Sequence, residues 1–252
     1  MRMPLLSVNL NKYALLRNAR GHDAPNLLDA ASKVLAAGAH GITVHPRMDQ
    51  RHTRFEDVPV MAAWLAEHHP DVEFNVECED HPYLLEMVLD VKPAQCTLVP
   101  VDPGEVTSSH GWDLPRQLRR LQPTVARLKD AGIRVSGFMN ADPAPIALAA
   151  EVGFDRVEIY TGPYAWAWGS ADQEAETSKV WQTCTAAVEH GLGVNAGHDL
   201  DRHNLPGIRD MPGLLEVSIG HALICRALDV GTGAAVQELI EALGHPAPGG
   251  AR

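Results

Sequence analysis

The chain has 252 residues, enough to bury a large core, and that length suits either two ordinary domains or one α/β barrel. Its make-up, 45% apolar and 21% charged, is that of a soluble globular protein. A formal net charge of −11 argues against the broad basic surface that binds nucleic acid or an anionic membrane, so an anionic ligand must meet a local positive site. Cys78, Cys96, Cys184 and Cys225 are scattered, with no CxxC pair and no metal-type spacing, which fits reduced cytosolic thiols. Asn9 interrupts the first apolar residues too early for a signal-peptide core, and no apolar run approaches membrane-spanning length. The expectation is a soluble cytoplasmic protein with neither a membrane nor a nucleic-acid partner.

Short β-rich runs alternate along the chain with longer amphipathic ones. The strand candidates are 5–9, 41–45, 72–77, 95–100, 133–139, 156–160, 193–196 and 215–219. Between them the apolar spacing turns helical: Leu27, Leu28, Ala31, Val34 and Leu35 form one stripe, Val58, Ala62 and Leu65 a second, Leu84, Leu85 and Val88 a third. Leu118, Leu121, Val125 and Leu128 form a fourth. Pro25 and Pro82 sit where a first helical turn tolerates proline, and Gly38, Gly132, Gly153 and Gly191 each close a helix just before a strand. Two places break the rhythm. Pro123 should kink or split the helical run 113–131, and segment 162–169, with Tyr164, Trp166 and Trp168, is too aromatic for a plain linker and reads as a lid or a subunit contact. The Pro- and Gly-rich end, 245–252, reads as a loose tail.

Eight alternating units in this length predict a single (β/α)8 TIM-type barrel with extra helices. A doubly wound open sheet is the rival, but no GxGxxG follows the first strand. A barrel gathers the C-terminal ends of its strands at one mouth, and here those ends are consistently polar. They supply Asn9, His45, Glu77, Thr107 in the loop beyond the fourth strand, Glu158, His198 and the Gly220-His221 pair. The stretch GITVHPRMDQRH at 41–52 is the densest, placing His45, Arg47 and His52 just past one buried strand. Arginine clamps phosphate or carboxylate through its planar fork and histidine moves protons near neutral pH, a pairing suited to acid-base chemistry on an anion. Each residue also has a plain structural use: Asn9 as a cap, Glu77 and Glu158 as paired rim carboxylates, His198 and His221 as satisfied histidines. Their repetition on successive strand ends favours a site.

Gly197 and Gly220 follow the seventh and eighth strands, where barrels bind phosphate through backbone N–H groups and a helix N-terminus. Arg20 in the first loop and Arg47 in the next would suit a pair of substrates carrying two phosphates.

At this point the motifs carry a resemblance. VNLNKYALLRNARG, HGITVHPRMDQRH, FNVE, CTLVP followed by EVT, EIYTG, VNAGHDL and IGHAL resemble, in order, those of the pyridoxine 5'-phosphate synthase family, and the likeness covers residues 5–243. The resemblance implies a (β/α)8 barrel, a homo-octamer, that condenses 1-deoxy-D-xylulose 5-phosphate with 3-amino-2-oxopropyl phosphate to give pyridoxine 5'-phosphate, phosphate and water. It also implies His45 and Glu77 as proton acceptors, His198 as a proton donor and Glu158 as a stabiliser of transition-state charge. Arg47, His52 and Thr107 would hold the deoxyxylulose phosphate; Asn9, Arg20, Gly220 and His221 would hold the amino ketone phosphate. The chain departs from the family pattern in two places. Asn11-Lys12 stands where an Asp-His pair is usual, and Asp199 where Gly is usual. Lys12 is expected to contact the sugar phosphate beside Asn11, and the Asp199 backbone N–H to serve the other phosphate.

Condensation, phosphate loss and ring closure need several proton transfers at different atoms but no redox cofactor, and the sequence has no coherent metal motif. No cofactor and no metal are expected, and small phosphorylated substrates are the expected partners. Two rivals stand beside this reading. One is a metal-dependent barrel isomerase or hydrolase using His45, Glu77, Glu158 and His198 as ligands; the other is a barrel that binds a phosphorylated metabolite without chemistry, which would not need three proton-transfer groups.

Overall fold

A proline at the first helical turn, a glycine after the last, and a β-branched run beyond it set the rhythm of the chain. The computed structural model displays that rhythm over the residues it describes, 3–102, 104 and 108–246. The first half runs β1 (Leu5–Asn9), α1 (Asn11–Asn18), α2 (Leu27–Ala36), β2 (Gly41–Val44), α3 (Asp57–His68), β3 (Glu73–Cys78), α4 (Pro82–Val91) and β4 (Gln95–Leu98). The second half runs α5 (Leu114–Asp130), β5 (Arg134–Asn140), α6 (Ile146–Val152), β6 (Arg156–Tyr160), α7 (Gly162–Ala167), α8 (Gln173–Glu189), β7 (Gly193–Gly197), β8 (Leu214–Ile219), α9 (His221–Val230) and α10 (Thr232–Ala242). Each strand lies within two residues of its expected place. The strands pair in sequence order, all parallel, and β8 closes on β1 with Leu5 opposite Glu216 and Val8 opposite Ile219. The fold is a (β/α)8 barrel, and its closure excludes the open doubly wound sheet.

The helical stripes are buried against the outside of the barrel. Leu27, Ala31 and Val34 of α2, Val58 and Leu65 of α3, Leu84, Leu85 and Val88 of α4, and Leu121, Val125 and Leu128 of α5 all lie in the core. A large aliphatic side chain so placed contributes roughly 1.5–3 kcal/mol. Gly38, Gly132, Gly153 and Gly191 have φ between +74° and +103°, the left-handed backbone that ends a helix without a Cβ clash.

Two expectations about proline need correction. Pro25 lies outside the first turn of α2, whose N-cap is Asn26; the Asn26 side chain accepts from the N–H groups of Leu28 and Asp29. Pro123 does not split its helix, because α5 runs unbroken from Leu114 to Asp130. Pro123 and Arg119, the residue whose carbonyl loses its partner, are both exposed, so water can satisfy the freed oxygen. The aromatic segment contains α7, anchored by buried Tyr164, whose hydroxyl donates to the Asn204 carbonyl at 2.5 Å. Of the expected loose tail, 247–252 lie outside the described residues; His245 stacks 4.8 Å from His40, and its Nε2 lies 2.7 Å from the Pro4 carbonyl oxygen. No helix among the described residues is long and apolar enough to cross a membrane.

The inside of the barrel is polar, where branched apolar layers are usual. Side chains alternate along a strand, so β3 turns Glu73, Asn75 and Glu77 to one face and Phe74, Val76 and Cys78 to the other. At mid-height the Ser7 and Thr43 hydroxyls are 2.7 Å apart, Asn75 Nδ2 donates to Thr43 Oγ1 at 3.3 Å, and Thr97 Oγ1 donates to Asn75 Oδ1 at 3.1 Å. At the N-terminal end of the strands Arg134 pairs with Glu73 and donates to Gln95, while Arg156 donates to Asn195 and lies 3.8 Å from Glu73.

Candidate active site

The barrel mouth is built from the strand ends inward. At the end of β1 the Asn9 side chain accepts the Asn11 N–H at 3.0 Å, and its Nδ2 donates to Glu77 Oε1 at 3.4 Å. Asn11, the first residue of α1, then uses its Oδ1 to accept from the His45 backbone N–H (2.9 Å) and from Thr53 Oγ1 (2.8 Å). One carboxamide thus ties the end of β2 to the far side of the loop that carries Arg47 and His52. The other end of that loop is held by α1. Buried Arg17 makes a two-pronged pair with Asp57 at 2.6 and 2.8 Å, and Asn18 Nδ2 donates to the His52 carbonyl at 2.7 Å.

This scaffold sets His45 against Glu77, Nδ1 to Oε2, at 3.2 Å. Burial pushes both partners toward their neutral forms: the His45 imidazole down to about 3, with Arg47 adding to the effect, and the Glu77 carboxyl up to about 7. With Nδ1 occupied by Glu77, His45 Nε2 is left buried and without a hydrogen-bond partner among the described residues. His52 lies 5.9 Å from His45, ring to ring, and its Nδ1 accepts the Thr53 N–H at 2.9 Å. Burial, then the neighbouring His45 and Arg47, pushes His52 down to about 3. Glu158 on β6 is raised well above the usual carboxylate range by burial and by Glu77. Its carboxylate presses so close to Gly197 that a Cβ at 197 would collide with it, which is why the end of β7 carries glycine.

On the far side of the mouth Thr161 Oγ1 lies 2.6 Å from the Gly197 carbonyl oxygen and 2.7 Å from that of His198. The His198 ring rests against Phe138 at 5.5 Å and edge-on to Tyr160 at 5.2 Å. Gly220 caps α9, whose first residue is His221, so a ten-residue helix points its N-terminus at the mouth.

These elements enclose a cavity of about 300 Å³. Asn9, Asn11, Lys12, His45, Arg47, His52, Glu77, Glu158, His198, Asp199, Gly220 and His221 are among the residues that line it. Two expected residues stand apart. Arg20 is exposed beyond the end of α1 and is not among the lining residues, since eight helical residues at ~1.5 Å each carry the chain away from the strand ends. Thr107 lies outside the described residues. Phe138 and Ser218 also line the cavity and are not among the residues the sequence pointed to. Phe138 is an ordinary apolar strand residue in sequence, whereas Ser218 sits in the SIGHAL string two residues before Gly220 and could have been read from it. Among the described residues no group of three or more His, Cys, Asp or Glu side chains is arranged to hold a metal ion.

The family model described as pyridoxal phosphate biosynthesis protein PdxJ matches residues 6–245. The chain belongs to the PdxJ family. A pyridoxine 5'-phosphate synthase of Albidiferax ferrireducens is 49% identical over 94% of this chain and 96% of its own length, and one of Mesorhizobium japonicum is 46% identical over 95% and 98%. Among solved structures, a tryptophan synthase α subunit of Legionella pneumophila superposes with a TM-score of 0.64 over 96% of this chain and 93% of its own. At 10% identity that likeness speaks for the barrel alone. The PdxJ match spans every strand from β1 to β8 bar its first residue, Leu5, so all the cavity-lining elements fall within it.

Proposed function

We propose that this chain condenses 1-deoxy-D-xylulose 5-phosphate with 3-amino-2-oxopropyl phosphate to pyridoxine 5'-phosphate, phosphate and water. The observation that carries the reading is the buried His45–Glu77 pair at the mouth of a PdxJ-family barrel, with Nδ1 held 3.2 Å from the carboxylate and Nε2 left without a partner among the described residues. A neutral imidazole accepts a proton at Nε2, and a carboxyl poised at about 7 exchanges one near neutral pH. Each would take protons from carbon and nitrogen as the imine forms and the ring closes. Glu158, which burial and the neighbouring Glu77 push toward its protonated form, would in that form donate a hydrogen bond where oxyanion charge develops, the role of a carboxylic acid kept neutral. His198 on the opposite wall supplies protons to departing oxygen.

The two phosphates fit the two sides of the cavity. Arg47, His52 and Lys12 make the positive side for the deoxyxylulose phosphate, beside Asn11, and the chemistry of Thr107 suits the same group. Asn9, Gly220, His221 and the Asp199 backbone N–H make the other side, where the α9 N-terminus favours an anion. Self-association, up to an octamer, is supported by exposed Leu15 and Leu16 on α1 and Leu228 and Val230 on neighbouring α9.

Mixing the purified chain with both substrates tests the reading. Pyridoxine chromophore and free phosphate should appear together. A folded chain that releases neither at any pH from about 6 to 9 would remove the proposal.

A further inference from the structure

His198 and Asp199 are consecutive non-glycine residues with left-handed backbone, φ +84° and +58°. Such backbone is unfavourable for L-residues and persists only where surrounding bonds hold it. Thr161 Oγ1 bonds the carbonyls on either side of the His198 peptide, and Asn204 Nδ2 donates to the Asp199 carbonyl at 3.0 Å. A further bond comes from α7, where Trp166 Nε1 donates to Asp199 Oδ2 at 2.9 Å. Trp166 is 67% exposed, so burial does not account for its placement. Its ring stands edge-on to Tyr160 (6.3 Å, 83°), and Tyr160 in turn stands edge-on to His198 (5.2 Å, 79°). Trp166, Tyr160, His198 and Asp199 therefore close a ring of contacts, in which the indole–carboxylate bond joins α7 to the His198–Asp199 turn itself, while Tyr164 ties α7 to the same loop further on, at the Asn204 carbonyl.

We propose that the Trp166–Asp199 hydrogen bond is a latch that fixes the His198 imidazole over the cavity, making both Asp199 and Trp166 positioning residues for the reaction. The inference rests on the acid-base reading of the cavity given above. Without the latch the His198 peptide keeps its backbone bonds and α7 stays tied to the loop through Tyr164, but the indole is released from Asp199, its edge contact with the Tyr160 ring loosens, and the aromatic wall that bounds the His198 imidazole gains freedom. The expected cost is in proton transfer rather than in binding, because transfer is sensitive to shifts well under an ångström.

Three variants separate this from a general effect on folding. Asp199→Gly keeps the backbone N–H, suits φ +58° and removes only the acceptor. Asp199→Asn retains a carbonyl oxygen for the indole, and Trp166→Phe retains a ring against Tyr160 but removes the donor. Asp199→Gly and Trp166→Phe should each lower kcat about 10-fold with both KM values nearly unchanged, the double variant should lose no more than either single one, and Asp199→Asn, which keeps an acceptor, should lose less kcat than Asp199→Gly. Losses that multiply in the double variant, or that fall on KM, overturn the latch. An activity-independent arm reads the imidazole itself. The His198 Cε1–H resonance, assigned by its loss in His198→Asn and displaced by the rings of Phe138 and Tyr160, should move alike in Asp199→Gly and Trp166→Phe and stay put in Asp199→Asn. An unmoved resonance in Asp199→Gly overturns the latch even if the parent chain makes no pyridoxine phosphate, a result that would instead count against the proposed reaction.

Discussion

Glu73 and Glu77 project from the same face of β3, four residues and so ~13 Å apart, and the protein treats them in opposite ways. At the base of the barrel Glu73 meets two guanidinium groups, Arg134 and Arg156, inside a net of hydrogen bonds that also takes in Gln95 and Asn195. At the mouth Glu77 meets an amide at 3.4 Å and an imidazole at 3.2 Å, and burial drives its carboxyl up to about 7. The difference is the company each carboxylate keeps. Cations and directed donors turn the half-buried carboxylate at the base into structure, whereas their shortage at the mouth leaves a buried group near its titration point that can exchange protons.

The largest expected effect breaks the mouth. Glu77→Gln or His45→Asn should lower kcat by ~10²- to 10⁴-fold while circular dichroism and thermal unfolding stay near the parent, since each change removes a proton-transfer group at nearly constant volume. Near-normal turnover in either variant would show that the pair does not carry the chemistry.

Breaking the base should do the reverse. Arg134→Met removes the nearer of the two guanidinium groups from Glu73 and leaves Arg156 at 3.8 Å. The Arg134 and Glu73 side chains are 27% and 21% exposed, so the loss should fall below that of a fully buried pair, at ~2–3 kcal/mol of unfolding free energy in urea titration. Turnover of the folded variant should hold within about twofold. A stable but inactive variant would mean that the two ends are not separable.

A third test sharpens the comparison with pH. His52 is pushed from 6.5 down to about 3, mainly by burial, and the Thr53 N–H already occupies its Nδ1. A folded pKa below the unfolded one means that neutral His52 supports the fold above pH 6.5 and that this support drains away as pH falls from 6.5 toward 3. His52→Asn should therefore flatten the fall in unfolding free energy between those limits, measured in urea. An unchanged slope would place the acid sensitivity elsewhere.

The smallest effect belongs to Lys12, which lines the cavity while remaining partly exposed. Lys12→Ala should raise the KM for the sugar phosphate about 2- to 5-fold at low salt, with the effect shrinking as salt is added, and leave the other KM alone. Unchanged kinetics at low salt would assign Lys12 to the solvated surface.

The sequence made the barrel legible because the code for it is local: helical stripes, a glycine that ends each helix, and a β-branched run that follows. The mouth was legible for a related reason, since in a barrel the residue after each strand points to one place, and His45, Glu77 and His198 could be gathered without knowing the register. What escaped depends on partners distant in sequence. That Asn11 spends its carboxamide oxygen on His45 and Thr53 rather than offering it to a ligand follows from a loop closing over it. Arg20, placed at the mouth by its position in the first loop, follows the eight residues of α1 and is not among the residues that line the cavity here. The alternation Glu73-Asn75-Glu77 was visible, yet nothing in β3 itself says that the first carboxylate will find Arg134 and the last will not. That is decided by the stagger of neighbouring strands around the barrel.

The contrast between the two carboxylates is tested most directly by titrating Glu77 in the free protein, following its side-chain ¹³C carboxyl resonance with Glu77→Gln as the assignment control. The account predicts a midpoint at about 7. A midpoint near the ordinary 4.5 would mean that Glu77 is as well satisfied as a surface carboxylate and would contradict the view that burial without a cation makes this mouth reactive.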